Sequence, residues 1–420
     1  MMIVANVVSQ YSEEVSMLWA LRRAAVTTSH YSLNDLTKLD GRVVAHIDGL
    51  RIAGEEGWKL CLEQLEVNEP GELFTAAVLA FESGDVQRVE RILKVGNAAP
   101  ALADGLVSAL GWLPWDRAEP YSRALASGEP ATLRRVGLAA FAVHRRNPGD
   151  ALRVVLRDQD LALKARALKA VGELGRADLA QEACLALPSE TPEVRFWAAW
   201  SAGLLIGSAS AISSLQDLAE SSTMRKVEAV QLLARRAPPS EAKAWHKKLA
   251  ERPEHLRQAI SAAGHLGDPE AIPWLLDRMK LMPTARLAGE AFTMITGVDL
   301  AYRDLERKPP EDFSAGPTED PKDDNVEMDP DDNLPWPEPT LVQKWWEKNR
   351  GQFQNGTRYL LGKPMTNEWL KTVLRDGRQR QRAAAALELA IRNPGQPLFN
   401  VKAPGFRQIE LLGKPGPAIR

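Results

Sequence analysis

The chain has 420 residues, 45% of them hydrophobic and 26% charged, with 53 Lys and Arg against 55 Asp and Glu and a formal net charge of -2. That balance excludes a protein that is basic throughout, the usual mark of a nucleic-acid or membrane-surface binder. Two cysteines, Cys61 and Cys184, far apart in helix-like apolar surroundings, leave neither a disulfide framework nor a four-ligand zinc site to be expected, and suit a reducing compartment. At about 150 residues per domain the length alone suggests two or three domains, unless internal repeats merge them into one elongated body.

Residues 1–68 read as an N-terminal helical cap, with a turn near Thr27 to Leu33. Met1 to Gln10 carries no Lys or Arg ahead of its apolar residues, as a secretory signal would need, so a cytoplasmic protein is expected. Asp40, Arg42, His46, Asp48 and Arg51 share one helical stretch. A catalytic His with Asp is the sharp reading of this group. A structural cap with ion pairs that seat the first repeat is the expectation, because terminal repeats need a special covering.

From 69 to 302 the chain repeats. Helical segments begin at Leu73, Leu102, Leu133, Leu163, Val194, Met224, Leu256 and Ala285, at intervals of about thirty residues, and each carries an Ala-rich stripe of helical period followed by a Gly or Pro breaker such as Gly175, Gly267 or Gly297. Thr191 as N-cap with Pro192 in the first turn is a helix-start signal for the fifth unit. The longest apolar run, Phe196 to Ile206, is broken by Ser201 and spans about 16 Å as a helix, too short for a bilayer. A single helix pair cannot bury both its faces, so the units stack into an all-α solenoid of about eight repeats.

These units resemble HEAT repeats, most closely over Leu256 to Leu276, LRQAISAAGHLGDPEAIPWLL. The resemblance implies a curved α-solenoid whose second helices line a concave protein-binding face. Arg195, Trp197 and Trp200 in the fifth repeat are candidate partner contacts.

Residues 303–339 read as an acidic, Pro-rich linker. From Lys308 to Pro339 the chain holds two basic and eleven acidic residues and eight prolines. Either this arm mimics a polyanion, or it is a solvated linker lying against the basic block that follows; the second is expected from short-range attraction. Residues 340–420 hold 15 basic against five acidic residues and read as a small helical module. The aromatic and basic residues here and just before it, Trp336, Trp345, Trp346, Arg358, Tyr359 and Trp369, could dock the module, bind a protein partner, or stack single-stranded bases.

The strings LDGRVVAHIDGLRIAGEEGW at Leu39 to Trp58, LPWPEP at Leu334 to Pro339, WW at Trp345 and Trp346, GTRYLLGKP at Gly356 to Pro364 and AAAALELAIRNPGQPLF at Ala383 to Phe399 are similar to those of a family of uncharacterised bacterial HEAT-repeat proteins. That family is commonly encoded among type VI secretion genes. The resemblance implies an adaptor, chaperone or immunity-type accessory protein, partnered by a secreted effector or a spike-complex component. It transfers no catalytic residue.

Motifs for chemistry fail on inspection. Gly356 to Lys363 is one residue too long for a phosphate loop and lacks the Ser or Thr for magnesium. Asp329, Asp331 and Asn333 alternate as in a calcium loop, yet Pro335 follows in place of the Gly turn and the bidentate Glu is missing. The six histidines form no His-x-x-x-His pair, although His246, His255 and His265 could approach across repeats. No catalytic residue, metal, cofactor or membrane contact is expected. A non-catalytic protein-binding scaffold is the expectation, with a DNA glycosylase-like nucleic-acid binder and a HEAT-repeat lyase as alternatives, and the oligomeric state left open.

Overall fold

The structure, a computed structural model, describes residues 5–221, 223–311, 313–317, 322, 328–416 and 419. Among these, 22 α-helices occur in the order α1 Ala5–Ala25, α2 Leu33–Ala53, α3 Glu55–Gln64, α4 Pro70–Ser83, α5 Val86–Gly96, α6 Pro100–Trp112, α7 Trp115–Ser127, α8 Ala131–Val143, α9 Asp150–Val155, α10 Leu161–Glu173 and α11 Ala180–Leu185, then α12 Pro192–Leu205 and α13 Ala209–Glu220. They continue with α14 Lys226–Arg236, α15 Pro239–Ala250, α16 Leu256–Leu266, α17 Ile272–Arg278, α18 Ala285–Thr296, α19 Pro339–Asn349, α20 Asn367–Asp376, α21 Gln379–Arg392 and α22 Gly405–Leu412. The only strands among the described residues are β1 Tyr359–Leu360 and β2 Lys363–Pro364, paired antiparallel with Tyr359 opposite Pro364. The fold is an all-α solenoid of helical pairs.

Two compact units divide the chain, one made of Met1–Ser214 with Leu389–Gly416, the other built on Leu215–Glu388. Residues 340–420, read in the sequence as one module, are shared between them: the part up to Glu388 belongs to the second unit and Leu389–Gly416 to the first.

Local chemistry explains the helix starts. The Ser32 hydroxyl accepts from the Asp35 amide and the Asp35 carboxylate accepts from the Ser32 amide, a capping box at the head of α2. Asp85 and Asp160 cap α5 and α10 by a single bond each, accepting from the Arg88 and Leu163 amides. Thr191 does sit at the N-cap of α12 with Pro192 following, but its hydroxyl makes no capping bond; position and Pro geometry mark this start.

In the first unit the Ala-rich helices α4, α6, α8, α10 and α12 pack directly on one another in chain order. Small residues permit it. A Cβ at Gly105 in α6 would lie 2.5 Å from Pro70 O in α4, and one at Gly172 in α10 would meet the Trp200 ring of α12 at 2.5 Å. Ser201, which broke the apolar run, is buried here: its hydroxyl donates to Leu168 O at 2.6 Å and accepts from the Gly172 amide at 3.1 Å, tying α12 to α10. A buried polar side chain is tolerated because both of these bonds are made.

Of the polar helices of this unit α9 and α11 are short, and α7 and α11 pack mainly on the Ala-rich helix that follows, α8 and α12. The structural hairpin is therefore one helix out of phase with the sequence unit that starts on the Ala-rich segment. The layer whose members touch one another directly is the Ala-rich one.

Candidate functional site

Every α-helix leaves four carbonyls unpaired at its C-terminus, and the helix dipole adds partial negative charge there. In the first unit a row of such ends is covered by residues 396–408, which run across them in reverse chain order. Leu398 donates its amide to Glu173 O at the end of α10, and Gly175, with φ +65°, leaves no room for a Cβ, which would sit 2.3 Å from Gln396 O. Arg145, just beyond α8, donates to Leu398 O and Ala142 O, and Asn400 donates to Val143 O at 2.9 Å. Arg407 spans the end of α6, donating to Gly111 O at 2.9 Å and Leu113 O at 2.8 Å. This strap ends in α22, whose first amide, Gly405 N, donates to Asp40 Oδ2 at 2.6 Å.

Asp40 is thereby the hub of the N-terminal group. It is fully buried, and its other oxygen faces Arg22 Nε at 2.5 Å, while Arg22 Nη2 donates onward to Ala403 O at 2.9 Å. A carboxylate at the start of α22 also favours the helix dipole. Its sequence neighbours are elsewhere: Arg42 is exposed, His46 Nε2 lies 2.9 Å from Glu14 Oε2, and Arg51 joins Asp48 and Glu82 at 2.5 Å each. His46 and Asp48 thus face different partners and no catalytic pair is assembled.

Between the strap and helices α1, α6 and α10 opens a cleft of about 290 Å³. Its lining carries the cations Arg22, Arg23, Arg145, Lys169, Lys402 and Arg407 against two carboxylates, Asp104 and Glu173, over an apolar surface that includes Trp19, Phe74 and Trp112. Glu173 is buried, which pushes its carboxyl upward, but Arg166, Lys169 and Arg145 outweigh burial and hold it at about 2. Arg166 Nη1 faces Glu173 Oε2 at 3.0 Å as a charge contact without hydrogen-bond geometry. Burial lowers the Arg145 and Arg407 guanidiniums from their ordinary range. Behind the wall, burial first and then Arg407 and Arg146 push His144 down to about 4, while its Nε2 lies 2.8 Å from Leu110 O.

The aromatic candidates are packed rather than displayed. Trp197 and Trp200 are 8% exposed and meet edge to face; Trp197 Nε1 donates to Glu193 at 2.9 Å and Lys169 Nζ stands 4.6 Å above the Trp197 ring. Arg195 keeps a buried Nε without a hydrogen bond. These three belong to the first unit.

The other five belong to the second unit, where an extension again crosses helix ends. Tyr359 N donates to Gly267 O at 2.7 Å beyond α16, Leu361 N to Met294 O at 2.8 Å in α18, and Arg358 Nε to Leu266 O at 2.9 Å. Arg358 also holds buried Glu388 at 2.5 Å, and Arg235 Nη2 reaches His265 Nδ1 at 3.0 Å beside the same carboxylate. Trp336 is buried between Phe313 and Arg286, Trp345 packs on Phe292, and Trp346 on Phe353, which in turn meets Tyr359. His246 instead packs against Trp274, and no group of three or more metal-ligating side chains occurs among the described residues, so His246, His255 and His265 do not converge on one centre.

The acidic segment also engages this unit. Asp331 receives both Arg257 Nη atoms, at 2.9 and 2.6 Å, Asp329 faces Arg286 at 2.6 Å, and Glu306 bridges to Pro337. The expectation that it lies against the basic block is corrected to this extent: these carboxylates take arginines of the repeat helices α16 and α18. The two carboxylates that suggested a calcium loop are thus spoken for by guanidinium groups. Residues 318–321 and 323–327 of the same segment lie outside the described residues.

Sequence reasoning singled out Asp40 but missed Arg145, Arg407 and Lys402. The signal was faint: Arg407 and Lys402 stood in the basic block, but nothing in their spacing points to helix ends some 300 positions earlier.

A family model described as HEAT repeats matches residues 149–234, from α9 into α14. That stretch is similar to HEAT repeats, which commonly mediate contacts between proteins. No curated protein and no solved structure matches the chain.

Proposed function

We propose that this protein is a non-catalytic binding scaffold of the cytoplasm, serving a type VI secretion effector or spike-complex component as adaptor, chaperone or immunity-type accessory. The observation that carries the reading is the HEAT-repeat match itself, since stacked repeats build extended surfaces whose use is binding. The strap supports it: the repeat ends already hold one extended stretch of polypeptide. The nucleic-acid alternative loses its footing, because Arg358, Arg378 and Arg380 of the basic block each hold a carboxylate, those of Glu388, Asp299 and Glu290.

The test is co-expression with each effector and spike-complex product encoded beside the gene, followed by gel filtration of the full chain. A stoichiometric complex with one of them is expected. Failure of every such product to comigrate, together with salt-dependent binding of DNA, would overturn the reading.

A further inference from the structure

The cleft of the first unit carries more positive charge than its own carboxylates answer. Asp40 takes Arg22, Asp104 takes Arg23 at 3.0 Å, and Glu173 takes Arg166 with Lys169 at 4.0 Å. Arg145 and Arg407 remain, and among the described residues both hydrogen-bond only to backbone carbonyls; Glu173 and Glu410 act on them at longer range. Lys402 is exposed at the rim, and its ammonium makes no hydrogen bond or ion pair among the described residues. A guanidinium has five N–H donors, so Arg145 and Arg407 keep donors beyond those the strap uses.

These three cations line the same cleft as the nearly buried rings of Trp19 and Trp112, over which Arg23 and Arg22 stand at 5.4 and 5.5 Å, and the half-buried Val107 and Val143. Cations above aromatic rings suit a ligand with carboxylates beside apolar groups. A long polyanion does not fit, because Asp104 and Glu173 stand in the same wall and would repel a continuous phosphate backbone. The neighbouring strap shows how an extended polypeptide sits on these helix ends.

We propose that the cleft between the 396–408 strap and helices α1, α6 and α10 binds an acidic segment of a protein partner, its carboxylates meeting Lys402, Arg407 and Arg145 and an apolar side chain resting against Val107 and Val143. The proposal rests on the scaffold reading and names the chemistry its partner must present.

The test titrates the full chain with a labelled short peptide of alternating Glu and Phe, and with its Gln and Phe counterpart, following polarisation of the label. The Glu peptide should bind, weaken with added salt, and exceed the Gln peptide by about tenfold or more. Lys402→Glu, at an exposed side chain with no partner to lose, should cost about tenfold in Glu-peptide affinity with an unchanged melting temperature, and Ser108→Glu inside the cleft should do the same. Equal binding of the two peptides, indifference to both variants, or tighter binding of single-stranded DNA than of the Glu peptide would overturn the proposal. If the co-expressed partner still comigrates with Lys402→Glu while the peptide response is absent, the cleft assignment fails and the scaffold reading stands.

Discussion

Asp40 shows how a single side chain can decide the fate of distant sequence. With 1% of its side chain exposed and two cationic or amide donors facing it, it satisfies Arg22 and the first amide of α22 together. Removing one partner of a buried pair leaves the other desolvated and unanswered, so Asp40→Ala should lower stability by about 3 kcal/mol in urea denaturation; a midpoint within error of the wild type would refute the hub role. At Gly175 the constraint is steric. Its φ of +65° and the 2.3 Å approach of a notional Cβ to Gln396 O mean that Gly175→Ala should expose the Leu398 amide to hydrogen exchange faster than residues of α4, and equal protection would count against it. Asp40 was marked in the sequence, within a group expected to be a structural cap. Its counterpart Gly405 was not, since a lone glycine after Pro404 carries no sign of the carboxylate it meets.

Among the elements, the helices were readable and the straps were not, for one physical reason. A helix advertises itself through apolar period and breakers, and the eight repeat starts fall in or beside α4, α6, α8, α10, α12, α14, α16 and α18. A strap that bonds to helix-end carbonyls needs no period, because its partners are backbone groups that every residue supplies. Only Arg145, Asn400, Arg407 and Arg358 betray it, as side chains able to reach several carbonyls. Cutting the chain after Asn393 should therefore uncover the ends of α6, α8 and α10, and limited proteolysis should cleave first near Val143 and Glu173. A digestion pattern matching the full chain would show that the strap seals nothing. In the second unit, Asp331→Asn should loosen the hold on Arg257 while keeping the loop shape, with a loss of about 1 kcal/mol at the exposed guanidinium; no change in melting temperature would make that contact ornamental.

On the scale of the whole molecule, the net charge of -2 is a cancellation that the structure spends largely in local pairs, leaving the cleft as a place where cations exceed carboxylates. The histidines set the acid limit. Burial above all lowers His144 and His246 to about 4 and His265 well below its ordinary value of 6.5. Their folded-state values lie below the unfolded one, so the stability they contribute is full above about pH 6.5 and is lost as pH falls through about 4. Glu173 acts in the same direction lower down, between about 4.5 and about 2. The melting temperature should decline steadily from pH 6.5 to 4, less steeply in a His144→Asn, His246→Asn double variant; a flat profile over that window would contradict the burial of these rings. The composition suggested separate ordinary domains, and the periodicity converted most of them into repeats, but how the ends of the chain are apportioned depends on contacts between residues hundreds of positions apart.

The bond from Gly405 to Asp40 closes over 365 positions. At roughly 5–20 residues per second of ribosomal synthesis, Asp40 and Arg22 wait on the order of 20–70 s for the segment that completes them. Throughout that interval the nascent α1 and α2 offer a carboxylate oxygen without its amide donor and a bare helix face to solvent. The first unit is thus completed only once the 396–408 strap has been synthesised, long after its first repeats have emerged.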